Sequence, residues 1–386
     1  MTAVAVPEGR IQGLDGIRGA AAFFVLLHHA AITSTHLGDD SVYMFFELSG
    51  FLIFGILAKS RAAIESGHST GKQELIRFWT NRAMRIFPVY YITLFAVFIG
   101  GSISGRFYDL RHDFPWYLTY TQNFLIAFET KSWDSFTHTW SLAVEQQFYV
   151  VFALIYLLVP LRRYGITFLL LFAICLLAIW GLASAHFGEI TLYTLPFGGF
   201  LFIIAGGAVG FFRHRIAEAV SPGLPVAECL AWGLVVALAL LSLLPKADEI
   251  WSPYFPVPIL FVNMLLIGLM AAFLWLVVSF PELSIVQILE TRLLVFLGSI
   301  SYALYVFHQP ITLVVSKSLM RYSHYLPHGF AALLTVAASI GLSYLSLKFI
   351  EQPIAKLKKR RHGIVAAKRM RTAAMKLDGA ADQAQV

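Results

Sequence analysis

The chain has 386 residues, 58% of them hydrophobic and 13% charged, including 33 Phe, and its mean hydropathy is +0.71. A soluble core of this size needs far less apolar side chain, so an ordinary soluble enzyme is excluded and a polytopic membrane protein is indicated. The net charge of +7 is no nucleic-acid signature, because much of it sits in "KLKKRRHG" at 356–363 and in short loops, where membrane proteins mark their cytoplasmic face.

The opening "MTAVAVPEGR" lacks the short apolar region and small-residue cleavage site of a removable signal peptide, so the first span is expected to act as an uncleaved anchor. A helix crosses a bilayer with about 20 mostly apolar residues. On that measure ten spans are predicted, at 17–33, 42–58, 86–102, 139–160, 164–184, 193–212, 226–245, 257–279, 293–316 and 329–350. The fold class is therefore all-α, a polytopic bundle of about ten transmembrane helices. "WYLTYTQNFLIAF" at 116–128 is apolar but too short to cross, and reads as interfacial or re-entrant. Cys175 and Cys229 each lie in an apolar run, which leaves no disulfide framework or Cys-rich metal site.

With both termini cytoplasmic, 22 of the 29 Lys and Arg fall inside and 6 outside, with Lys348 at a boundary; the opposite orientation inverts the ratio. Inside, 59–85 is expected to lie along the membrane as a basic amphipathic connector. Outside lie 34–41 and the long loop 103–138. Residues 1–355 form one membrane domain, and 356–386 a basic cytoplasmic tail with too few large apolar residues to fold.

Ionisable groups inside a membrane cost several kcal/mol and usually face the bundle interior or an aqueous cavity. In "GLDGIRGAAAFFVLLHHA" Arg18 and His29 are eleven residues apart, which on a helix returns to within about 20° of one face and separates them by about 16 Å. Asp15 can pair with Arg18, and His28 points roughly 100° from His29. Snorkelling explains Arg18 alone equally well. In the second span Glu47 lies at a depth like that of His29, where a carboxylate would hold the imidazole's tautomer; reaching for the interface is its other reading. Ser49 and Gly50 read as packing residues. Arg82 and Arg85, three apart at the cytoplasmic boundary, can grip a phosphate or simply anchor the chain. Trp140 suits an interface belt, and Glu145 lies about 9 Å further in than residue 139. Tyr305 and His308 share a face of the ninth span, where a lone histidine is often a structural hydrogen-bonder.

Together, His29, Glu47, Glu145 and His308 come from four helices to one expected depth, while Arg18, Arg82 and Arg85 gather at the inner boundary. That pattern describes a cavity with a basic mouth, suited to a phosphate-bearing donor, and an acid/base centre beyond it. No Walker-type, HExxH or GxSxG motif is present.

These residues resemble the acyltransferase-3 family of integral-membrane O-acyltransferases. "LDGIRGAAAFFVLLHHA" is similar to its opening Arg and His motif on Arg18 and His29, and "RAMR" (82–85) to its Arg-x-x-Arg pair. "FFELSGFLI" (45–53), "HTWSLAVEQQFY" (138–149) and "LGSISYALYVFHQPI" (297–311) follow in family order, so the resemblance runs from about 10 to 355. Two departures stand out: Tyr43 where the family often has an acid, and Glu47 where it is often apolar, which reads as a relocated carboxylate. Members with a fused C-terminal hydrolase-like domain exist, and this chain is expected to act without one.

The resemblance implies acyl transfer, commonly acetyl, from cytoplasmic acyl-CoA as co-substrate to a hydroxyl of a cell-surface carbohydrate or another membrane-accessible acceptor. It implies Arg18, Arg82 and Arg85 on the CoA phosphates and His29 as base, with Glu47 or Glu145 orienting it, or a transient acyl-His29. Trp140, Ser141, Tyr305 and His308 are the acceptor-side candidates. No metal and no nucleic acid are implied; membrane lipid is the surrounding partner, and a bacterial inner membrane the implied location. A secondary transporter or flippase for a sugar-containing or lipid-linked substrate would also use buried charge and a cavity; acceptor identity, acyl chain and oligomeric state are not legible.

Overall fold

The computed structural model describes residues 10–30, 36–104, 108–133, 136–220, 222–243, 257–319 and 329–357, which are helical or turn with no strand among them. The long helices are α1 (Leu14–His29), α2 (Leu37–Glu65), α3 (Gly71–Ser104), α4 (Tyr108–Leu118), α5 (Trp140–Leu158), α6 (Tyr164–Ser184), α7 (Pro196–Ala219), α8 (Leu224–Leu243), α9 (Val257–Ser279), α10 (Arg292–Leu319) and α11 (Phe330–Ser346). Nine helices among the described residues are long and apolar enough to cross a membrane, the last of them running on past α11 to Leu357. The chain is a multi-pass integral membrane helix bundle.

Each of the ten predicted spans coincides with a helix, but the first is shorter than expected. α1 has 16 residues, about 24 Å of helix, against a hydrocarbon thickness of about 30 Å; residues 31–33 of that span lie outside the described residues. The bundle covers α1: Leu14, Ile17, Val25 and Leu26 are buried against α2 and α10. Lipid instead meets α6 and α8, where Leu169, Leu177, Val236 and Leu240 stand exposed.

Small residues set the closest seams. A Cβ on Gly16 or Gly19 would strike the main chain of Leu289 or Leu294, and one on Gly298 that of Asp15, so α1 meets the short helix Ser284–Leu289 and the start of α10 backbone to backbone. Likewise Gly50 of α2 rests on the Ile203 carbonyl and Gly206 of α7 on that of Glu47. Gly206→Ala therefore has to push two helices apart, at about 1–3 kcal/mol or more for overpacking. We expect a lower monodisperse yield after detergent extraction, measured by size-exclusion chromatography, whereas Gly233→Ala, with open space around it, should match the wild type.

The segment 59–85 is not a surface connector. Its Ala, Glu, Lys, Gln and Arg are good helix formers, so α2 runs through Glu65 and α3 starts at Gly71, with only a short turn between them. Gly67 takes φ 76° there, and Ser60 donates to Glu74 across the turn at 2.8 Å. The segment 116–128, expected to be interfacial or re-entrant, breaks into short helical pieces packed into the bundle. After α4 come a short helix, Gln122–Leu125, and a π-turn, Ile126–Thr130, with Gln122 and Asn123 fully buried. Their polar atoms are met inside the bundle: Gln122 donates to the Thr139 carbonyl at 2.8 Å, and Gln147 donates to Asn123 at 2.7 Å. Beyond residue 357 the predicted tail lies outside the described residues, as do 34–35, 105–107 and 134–135 of the predicted outer loops.

Candidate active site

At the end of the bundle where α1 begins, Arg10 bridges Asp15 and Glu290 at 3.0 Å each, and Gly13 N–H donates to Glu290 at 2.7 Å. This clamp fixes the start of α1, and with it Arg18, which donates to Asp15 at 3.1 Å. From there a partly open cavity runs into the bundle.

Three guanidinium groups, Arg18, Arg82 and Arg85, line the cavity together with Ser49, Glu145, Tyr149, Ser141 and Tyr305. The sequence-predicted arginine cluster is thus one site, contributed by α1 and α3. Glu145 is its carboxylate: it accepts from Ser49, and from the Tyr149 hydroxyl at 3.3 Å. Arg82 lies over the rings of Phe78 and Tyr149 at 5.8 and 5.9 Å, and its buried Nε has no hydrogen-bond partner among the described residues. A buried cationic donor left unmatched costs free energy.

The far end of the cavity is closed by Tyr305 and Ser141, whose hydroxyls lie 2.6 Å apart. Tyr305 also donates to the His138 carbonyl at 2.7 Å. Behind Tyr305, at a ring distance of 5.6 Å, is His308; next to His308, at 4.8 Å each, are His29 and His138. His29 therefore does not line the cavity, and reaches it through the histidine cluster behind Tyr305. His28 lies 5.2 Å from His29, against the first turn of α2, where a Cβ on Gly38 would collide with its side chain.

Two expectations need correction. Among the described residues neither Glu47 nor Glu145 is hydrogen-bonded to His29: its Nδ1–H donates to the Val25 carbonyl at 3.0 Å, one turn back on its own helix, which leaves Nε2 as the basic nitrogen. Glu47 is fully buried with neither oxygen hydrogen-bonded among the described residues. The reason is register: Phe45, Leu48, Ser49 and Leu52 line the cavity, whereas Glu47 sits where α2 meets Gly206 of α7. Glu145 serves the arginine cavity, not the histidines, so the four polar residues do not form one layer. Trp140 is a packing residue, 3% exposed, between Phe46 at 6.0 Å and Tyr193 at 4.6 Å.

Four contributors were not singled out as site residues in the sequence. Ser49 looked like a packing residue, yet it holds Glu145. Tyr149 is one helical turn after Glu145, a spacing that signals shared face. Tyr302, in the cavity wall, donates to the Ile86 carbonyl at 2.6 Å; its signal was its place in the family-like "LGSISYALYVFHQPI" segment, one turn before Tyr305. His138 opens the "HTWSL" block and was hidden by its place before the fourth span.

The fold and site define a polytopic membrane helix bundle with an arginine-lined cavity that runs toward a histidine cluster. The chain belongs to the acyltransferase-3 family: the family's sequence model, described as an acyltransferase domain, matches residues 11–347. It is 27% identical over 389 residues to a Staphylococcus aureus (strain COL) protein named "Putative O-acetyltransferase SACOL0978", covering 90% of this chain and 57% of that one. It is similarly 27% identical over 370 residues to the peptidoglycan O-acetyltransferase OatA of Listeria monocytogenes, covering 90% of this chain and 56% of OatA. The chain spans a little over half the length of these curated relatives. No solved structure matches it.

Proposed function

We propose that this protein transfers an acetyl group from acetyl-CoA to a hydroxyl of a cell-surface carbohydrate such as peptidoglycan. The observation that carries this reading is the cavity itself: three arginines at one end, one of them with a buried unmatched N–H, and Tyr305 with the histidines behind it at the other. Arg18, Arg82 and Arg85 bind the CoA phosphates, as guanidinium groups do in bidentate fashion. The pantetheine arm runs along Ser49, Leu52 and Ile86, and the thioester stops near Ser141 and Tyr305. The names of the relatives support acetyl as the group and a carbohydrate as the acceptor.

His29 Nε2 takes the proton of the acceptor hydroxyl as its oxygen attacks the thioester carbonyl carbon. The new C–O bond forms, the C–S bond breaks, and the proton passes to the departing thiolate, giving ester and free CoA. The Val25 carbonyl keeps the basic nitrogen turned outward throughout. Because His29 stands behind Tyr305, the Tyr305 ring has to swing aside or the acceptor has to enter from the histidine end.

The test uses membranes containing the full chain, acetyl-CoA labelled in the acetyl group, and soluble peptidoglycan fragments. Free CoA thiol is expected only when the fragments are present, with label appearing on them in equal amount. Movement of fragments across the membrane without CoA release would identify a transporter and overturn the reading.

A further inference from the structure

We propose that His29, His308 and His138 form a proton store in which His308 is the immediate partner of His29 and His138 backs it; this rests on the reading of His29 as the base. The hydroxyl proton that His29 Nε2 accepts is shared with His308 Nε2 while the C–O bond forms, and returns through His29 to the CoA thiolate. No net proton is gained or lost.

The tautomers follow from the main chain. A carbonyl oxygen only accepts, so each imidazole nitrogen facing one carries the proton. His29 donates from Nδ1 to Val25, His308 from Nδ1 to Tyr305 at 2.7 Å, and His138 from Nε2 to Val306 at 3.3 Å. In the neutral rings the remaining nitrogen of each is then a lone pair. For His308 Nε2 and His138 Nδ1 that lone pair is buried with no hydrogen-bond partner among the described residues. Two buried acceptors thus lie in neighbouring rings with a centroid distance of 4.8 Å, and His29 lies the same distance from His308; one proton placed between two imidazoles would satisfy both.

Pro310 makes the third member possible. It has no N–H, so the Val306 carbonyl four residues back loses its helical donor, and His138 supplies one instead. His308 and His138 are 1% and 5% exposed, so a proton held on His29 alone would sit beside a low-dielectric interior. Sharing it lowers that cost. The other groups around the cluster are His28 and Asp39 on the His29 side, with Gln309 beside His138 and Tyr305 closing the cavity side. Among the described residues no group of three or more His, Cys, Asp or Glu is arranged to hold a metal ion.

Three readouts separate this store from a structural role. In detergent-solubilised full chain with ¹⁵N-labelled histidine, His29 and His308 should titrate as a coupled pair, in two steps more than about one pH unit apart. In His308→Gln, His29 should titrate in a single step. The same variant should lose about tenfold or more in kcat with the KM for acetyl-CoA unchanged, and the acid limb of its pH profile should move. Pro310→Ala, which keeps all three rings and returns an N–H to Val306, should weaken the coupling at normal protein yield. A His29 titration identical in wild type and His308→Gln overturns the store and leaves the base reading standing. An active His29→Ala overturns both.

Discussion

His29→Ala is expected to lower acetyl transfer by about 10²- to 10⁴-fold, the range a positioned general base contributes, with normal amounts of protein in the membrane. His28→Ala should stay within a few-fold of wild type. The two rings are neighbours, 5.2 Å apart, so proximity alone does not separate them. What separates them is what each touches. The His29 ring is oriented by the Val25 carbonyl and meets His308 at 4.8 Å, whereas His28 packs on Gly38 at the first turn of α2. Losing His28 therefore costs helix packing, which would show as reduced yield and leave kcat alone. Transfer assayed per mole of extracted protein distinguishes the two, and equal loss in both variants would remove His29 from the mechanism.

The second large effect is expected at the other end of the cavity. Arg85→Ala should raise the KM for acetyl-CoA by about ten- to hundredfold, since a hydrogen bond to a charged group contributes about 1.5–3 kcal/mol and each 1.4 kcal/mol is a factor of ten. The kcat should change little, because the phosphates are bound equally in the ground and transition states. Arg85 forms no ion pair with a carboxylate among the described residues, unlike Arg18, which is held by Asp15. Arg82→Lys should fall between, keeping the charge and losing the fork. Arg77, on the same helix, makes the control: it is 63% exposed, lies 3.8 Å from Glu74 and does not line the cavity. Arg77→Ala should leave the KM unchanged.

Helix positions were largely legible in the sequence because a spanning helix has to be apolar along its whole length, and a run of that length leaves few other readings. The arginine cluster was legible for a related reason. Among many cytoplasmic-side charges, Arg18 stood within an apolar run and Arg82 and Arg85 at the start of another, and the three line one cavity. Rotational register was not legible. Glu47 and Ser49 are two residues apart on α2, and only the contact of Gly50 and Gly206 between α2 and α7 decides that Ser49 meets the cavity and Glu47 does not. Depth misled for Glu145, since equal distance along a helix says nothing about which neighbour a side chain faces. His138 was hidden because its role depends on a carbonyl freed by Pro310, 172 positions away in the chain.

Donor binding is expected at the arginine end of the cavity, and proton transfer in the histidine cluster behind Tyr305 at its other end. Equilibrium binding of CoA to detergent-solubilised wild type, His29→Ala and Arg85→Ala tests this without any turnover. The two-ended site predicts that His29→Ala binds CoA as wild type does, while Arg85→Ala binds it ten- to hundredfold more weakly, about 1.4–2.8 kcal/mol. Wild-type affinity in Arg85→Ala, or lost affinity in a well-folded His29→Ala, would contradict it.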